Sequence, residues 1–130
     1  TGATDVTGFG LLGHLCRAAI ESGVDAEVDV AAVPMLPGAR DLAAAGVLPG
    51  GSERNLAWIE ERLDRGGCQE VDVLLLADAQ TSGGLLFGVE PGLAQGAVDE
   101  LVACGHRAAT IGRAVEGQGT IRLVEGQATA

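Results

Sequence analysis

Thr4-Asp5-Val6-Thr7-Gly8-Phe9-Gly10-Leu11-Leu12-Gly13-His14 sets a carboxylate and two small, flexible residues at the mouth of an amphipathic segment. The apolar residues Leu11, Leu12, Leu15, Cys16, Ala19 and Ile20 follow a helical period with one stripe to bury, which predicts a helix beginning close to Gly8. The first turn of such a helix has amides without intrahelical partners and the positive end of the helix dipole, so it can receive an anion without any lysine. Asp5 is an oxygen ligand of the kind Mg²⁺ takes, with bound phosphates supplying further ligands. Thr7, Gly8 and Gly10 are therefore candidates for a phosphate corner and Asp5 for its metal. A plainer reading uses the same residues: Thr7 as an N-cap, the glycines as a turn, and Asp5 as a charge that complements the dipole.

Downstream, Ser22-Gly23 offers a helix stop, and Ala26-Glu27-Val28-Asp29-Val30 alternates like a half-exposed strand. Ala39 to Ala45 predicts a short helix closed by Gly46. Leu48 to Asn55 is rich in turn residues and has no period. Within it Gly50, Gly51 and Ser52 can present amides in a concave nest, and Arg54 can grip a phosphate or carboxylate; a solvated loop with Ser52 capping the next helix fits equally well. Leu56, Ile59 and Leu63 recur at helical spacing and predict a surface helix. The dense apolar run from Val71 to Leu76 does not separate helix from strand by period, and helix is the reading taken. Asp78-Ala79-Gln80-Thr81-Ser82-Gly83-Gly84 then leads into Leu85-Leu86-Phe87-Gly88-Val89, which predicts a strand buried on both faces. Thr81, Ser82, Gly83 and Gly84 form a second candidate phosphate cradle, although a tight turn would use the same residues. Pro91-Gly92 opens a further helix, and residues 109–115 and 120–124 read as a terminal hairpin, with a frayed tail from Glu125. With no internal repeat and no interior linker, residues 1–130 are expected to form one α+β domain, a mixed sheet packed with helices.

Composition narrows the chemistry. The chain has 130 residues and a net charge of −10; its basic residues are all Arg, and there is no Lys. Such a chain lacks the electrostatic footprint of nucleic-acid binding, and with Phe9, Phe87 and Trp58 as the whole aromatic set it lacks stacking platforms and needs an aliphatic core. No apolar run is long enough to cross a bilayer and no secretory leader is visible. The three cysteines, far apart, do not make a zinc pattern; Cys16 and Cys104 read as core residues and Cys68 as the candidate for an exposed thiol. Unpaired thiols fit a reducing cytoplasm. Because Thr1 rather than Met comes first, with the motif following at once, the expectation is that something upstream was removed.

Taken together, Thr4 to His14, Pro49-Gly50-Gly51-Ser52-Glu53-Arg54-Asn55 and Asp78-x-Gln80-Thr81-Ser82-Gly83-Gly84-Leu85-Leu86 strongly resemble the selenophosphate synthetases, or selenide, water dikinases. The resemblance covers nearly the whole chain and corresponds to the C-terminal domain of those enzymes, of the type shared with aminoimidazole ribonucleotide synthetase. It implies a Mg²⁺-dependent homodimeric enzyme that makes selenophosphate, AMP and orthophosphate from ATP, selenide and water. It also implies that Asp5 is a magnesium ligand and that ATP lies mainly against an N-terminal domain absent from this chain, where the nucleophilic Cys or selenocysteine and an essential Lys reside. The fragment alone is then expected to be inactive, with no catalytic residue of its own. His14 matches a family position but is read as hydrogen-bonded structure. One departure is Ala79, where the family has Pro; it predicts a looser loop entrance. Two other classes stay open: a different ATP-using enzyme of the same superfamily, and a separate non-catalytic binding or dimerisation module.

Overall fold

The computed structural model describes residues 2–126. Its centre is β2 (Val24–Asp29), whose alternation sends Ala26 and Val28 into the core while Glu27 stays on the outer face. Four strands form a mixed sheet in the order β3 (Leu63–Asp64), β6 (Ile121–Val124), β2, β5 (Gly112–Glu116), with β6 parallel to both β3 and β2, and β5 antiparallel to β2. One face is covered by three helices, α1 (Gly10–Ser22), α3 (Gly50–Ile59) and α4 (Glu70–Leu76); α2 (Ala39–Ala44) packs beside α4. Leu12, Cys16 and Ala19 of α1, Leu56 and Ile59 of α3, and Val73 and Leu76 of α4 close over Ala26, Val28, Ile121 and Leu123. The core is aliphatic, as the composition requires. The α+β reading holds.

The outer face of the sheet carries charge. Strand register puts Asp64, Arg122, Glu27 and Arg113 side by side across all four strands, joined at 3.1, 3.4 and 2.6 Å. Exposed pairs of this kind contribute about 0–1 kcal/mol each, so the row serves register more than stability.

Five expectations need correction. Residues 112–116 and 121–124 are not a hairpin, because β2 lies between them. The connecting loop crosses the end of β2, where the Asp25 carboxylate accepts the amides of Gln118, Gly119 and Thr120 at 2.8, 3.0 and 2.8 Å. The apolar run at 85–89 is not a doubly buried strand. Only Leu85–Phe87 is extended (β4), it pairs with β1 (Ala3–Asp5) in a separate two-stranded ribbon, and Leu85 and Phe87 are exposed. The 48–55 stretch is helical from Gly50, and Leu63 falls in β3 rather than on the same helix. Cys104 is exposed, since α5 (Ala94–Ala103), entered through a 3-10 turn at Pro91–Leu93, buries no residue. The tail expected to fray lies beyond the described residues from position 127 on. Among the described residues no helix is long and apolar enough to cross a membrane.

The Asp25 contacts make a prediction. Three backbone amides hold its carboxyl below the ordinary carboxylate range, the Thr120 and Gln118 amides most strongly. A depressed folded pKa contributes stability that is present above the unfolded value, about 3.9, and is lost as pH falls through the lower folded value. Asp25→Ala is thus expected to lower the melting temperature at pH 6 by on the order of 5 °C. The difference from the unmodified protein should shrink as pH drops below the unfolded value of about 3.9 and through the lower folded one. A constant difference across that range would remove the carboxylate from the explanation.

Candidate functional site

Each of the three glycine-containing segments is short and polar, and the fold gathers them at one end of the helical layer. Thr7 is the first joint. Its amide donates to His14 Nε2 at 3.1 Å and its hydroxyl lies 3.0 Å from the same nitrogen, so His14, one turn into α1, presents an unprotonated Nε2 and folds the chain back on itself. The Thr7 carbonyl accepts from Gly10 N and from Gln80 N, both at 3.0 Å, and Val6 N donates to the Gly84 carbonyl at 2.8 Å. The 78–84 loop therefore lies directly along residues 6–7, and Asp5 sits opposite Leu85 on the ribbon.

Two glycines are required by this closeness. A Cβ on Gly83 would stand 1.9 Å from the Val6 carbonyl oxygen, and one on Gly10 would stand 2.6 Å from the Ala77 carbonyl group. Gly10 also has φ +69°, which favours glycine. Its place in the structure is as a contact point between the start of α1 and the end of α4. Thr7 is likewise engaged through its amide, hydroxyl and carbonyl, and does not cap α1 through its side chain. Both belong to the frame of the site.

The second segment joins through α3. Ser52, which composition suggested as a cap, is fully buried inside the helix and its hydroxyl donates to Asp78 Oδ1 at 2.7 Å. Asn55 donates from one amide nitrogen to the carbonyls of Gly8 and Ala77, both at 2.9 Å. Gln80 Nε2 lies 3.3 Å from Asp78 Oδ2. Asp78 is thereby tied on both carboxylate oxygens. A Cβ built on Gly51 would lie 3.6 Å from Ala79 Cβ and 3.9 Å from Arg54 Nη2, so Gly51 has both Ala79 and the Arg54 guanidinium as neighbours.

Several groups at this convergence have no partner among the described residues. Arg17, Arg40, Arg65, Arg113 and Arg122 make ion pairs, and Arg62 and Arg107 donate to the carbonyls of Gln118 and Met35. Arg54, exposed, does neither. Asp5 is exposed, and its carboxylate accepts no hydrogen bond. The amides of Gly8, Thr81, Ser82 and Gly83 bond to nothing among the described residues. In a chain of charge −10, a cation without an acidic partner among the described residues is a place for an external anion, as are open backbone amides.

No group of three or more His, Cys, Asp and Glu among the described residues could enclose a metal ion. Asp5 therefore offers a single carboxylate, which suits an ion that keeps waters and phosphate oxygens as its other ligands. Burial pushes the Cys16 and Cys68 thiols up, so neither is a thiolate nucleophile. Beside the site, Phe9 and Trp58 stand at the surface with ring centroids 6.4 Å apart and line, with Gly13, His14 and Arg17, a hollow of about 360 Å³.

Sequence reading named Asp5, Arg54 and both glycine loops as candidates, and it read His14 as hydrogen-bonded structure, which its contact with Thr7 matches. It assigned no role to Asn55 or Gln80, whose partners are backbone atoms distant in sequence.

The profile of the family described as AIR synthase related protein, C-terminal domain, matches residues 1–125. Selenide, water dikinase of Porphyromonas gingivalis is 42% identical over 125 residues, covering 95% of this chain and 36% of that protein. The protein of the same name from Bordetella bronchiseptica is 48% identical over 103 residues, covering 79% and 28%. That from Shigella flexneri is 41% identical over 122 residues, covering 94% and 35%. The chain spans about a third of the length of these curated relatives.

Proposed function

The chain belongs to the AIR synthase related protein C-terminal domain family, and from that premise we propose that it is the C-terminal domain of an ATP-dependent selenophosphate synthetase. The whole enzyme, a cytoplasmic homodimer, converts selenide, ATP and water into selenophosphate, AMP and phosphate. Its N-terminal domain carries the reactive Cys or selenocysteine and the Lys and holds most of the nucleotide. The present domain covers the phosphates and is inactive by itself.

The observation that carries this reading is a guanidinium, a carboxylate and open amides, none with a partner among the described residues, on segments that the hydrogen-bond network locks together. Arg54 and the amides of Gly8 and Thr81 to Gly83 hold phosphate oxygens; Gly84 fixes the loop through its carbonyl, and Thr7 and Gly10 keep the corner closed. Asp5 is the domain's ligand to Mg²⁺. When bound, that ion neutralises charge on the phosphate oxygens. The protein's own contribution is positional and electrostatic, which is where catalysis of phosphoryl transfer resides. An acidic domain repels a free triphosphate, so nucleotide binding requires the metal.

Calorimetric titration of the full-length protein with ATP, in Mg²⁺ and in excess EDTA, tests this. Binding should be at least tenfold tighter with Mg²⁺, and Arg54→Ala should weaken the Mg²⁺-dependent part by about tenfold. Equal affinity in both conditions, or no effect of Arg54→Ala, would sink the reading.

A further inference from the structure

We propose that Asn55 is a positioning residue that sets where Arg54 stands relative to the two glycine loops, a role that rests on the phosphate-site reading above. The two hydrogens of its side-chain amide go to the Gly8 carbonyl and the Ala77 carbonyl, both at 2.9 Å. Gly8 belongs to the loop that follows Asp5. Ala77 immediately precedes Asp78 and is fully buried. One planar group on α3 thus measures the separation of two loops that approach α3 from different helices. Its neighbour in sequence is the arginine without an ionic partner.

Other links hold the loops to each other, Gln80 N to the Thr7 carbonyl and Val6 N to the Gly84 carbonyl, but neither involves α3. Ser52 ties α3 to Asp78 alone. Asn55 is the side chain that connects α3 to both loops at once. Its loss frees the helix face bearing Arg54 to shift relative to Asp5 and the Thr81–Gly83 amides. Asn55 itself touches no ligand, because its donors are already engaged.

The test is a double-mutant cycle in the full-length protein, read as affinity for the non-hydrolysable analogue adenosine 5′-(β,γ-imido)triphosphate with Mg²⁺. Titrations are run well below each variant's melting temperature. Asn55→Ala is expected to weaken binding by about tenfold, the scale of losing a hydrogen bond that orients a ligand group. Arg54→Ala weakens it by a similar factor, and the double variant is expected to bind no more weakly than Arg54→Ala alone. A residue that merely supports the fold would give additive losses, or a lower melting temperature with affinity unchanged. Asn55→Ser, which retains a donor, provides a second cycle if Asn55→Ala does not fold. Additivity in the cycle, or failure of both variants to fold, overturns the proposal while leaving the phosphate site standing. An Arg54→Ala variant that binds normally overturns the phosphate site and this role with it.

Discussion

Gly10→Ala is expected to destabilise the protein by about 3 kcal/mol or more, the sum of a left-handed backbone and an overpacked contact. Gly10 has φ +69°, and the added methyl would lie 2.6 Å from the carbon and oxygen of the Ala77 carbonyl and 2.7 Å from the Asp78 carbonyl oxygen. These are backbone atoms at the end of α4. They cannot swing aside as a long side chain would, so α1 and α4 must separate. Separation also stretches the two Asn55 hydrogen bonds, which span the same gap. Thermal and urea melts should show a drop of roughly 10 °C, with loss of nucleotide binding when the remaining stability is small. Gly8→Ala is the matched control: nothing lies within 4 Å of its Cβ position, and its effect should stay within about 0.5 kcal/mol. Similar melting temperatures for the two variants would show that the corner is far more compliant than the contacts imply.

Asp5→Asn is expected to act on the reaction and not on the fold. Asp5 is exposed, and its carboxylate has no partner among the described residues, so an isosteric amide removes charge without breaking a contact. In the full-length enzyme, kcat/KM should fall by about a hundredfold, the scale of losing one preorganised electrostatic partner. Melting temperature should be unchanged, and, on the proposed role of Asp5 as a Mg²⁺ ligand, part of the rate should return at high Mg²⁺ concentration. A variant with full activity at every Mg²⁺ concentration would assign the metal to other residues.

Local pattern was a reliable guide wherever an element's surroundings could be inferred from its own residues. The stripe of Leu12, Cys16 and Ala19 defines α1; the run from Val71 to Leu76, whose period left helix and strand open, forms the helix α4. It misled where pairing partners decided the outcome. Leu85-Leu86-Phe87 is apolar enough for a central strand, yet among the described residues the only strand beside it is β1. Gly50 and Gly51 are poor helix formers but begin α3, because burial of Leu56 and Ile59 rewards the whole helix. The short link between β5 and β6 looks like a hairpin turn. Asp25 instead draws that link across the end of β2 and delivers β6 to its far side.

By itself the sequence determined the fold class and the aliphatic core and named the candidate site residues, one acid, one arginine and two glycine loops, all carried by short-range pattern and motif. Only the tertiary structure decided that Arg54 has no ionic partner among the described residues and that Gly10 and Gly83 are contact points between backbones. The same is true of Asn55's hold on two loops. Those properties depend on distances between segments tens of residues apart, and such distances follow from how the helices settle on the sheet.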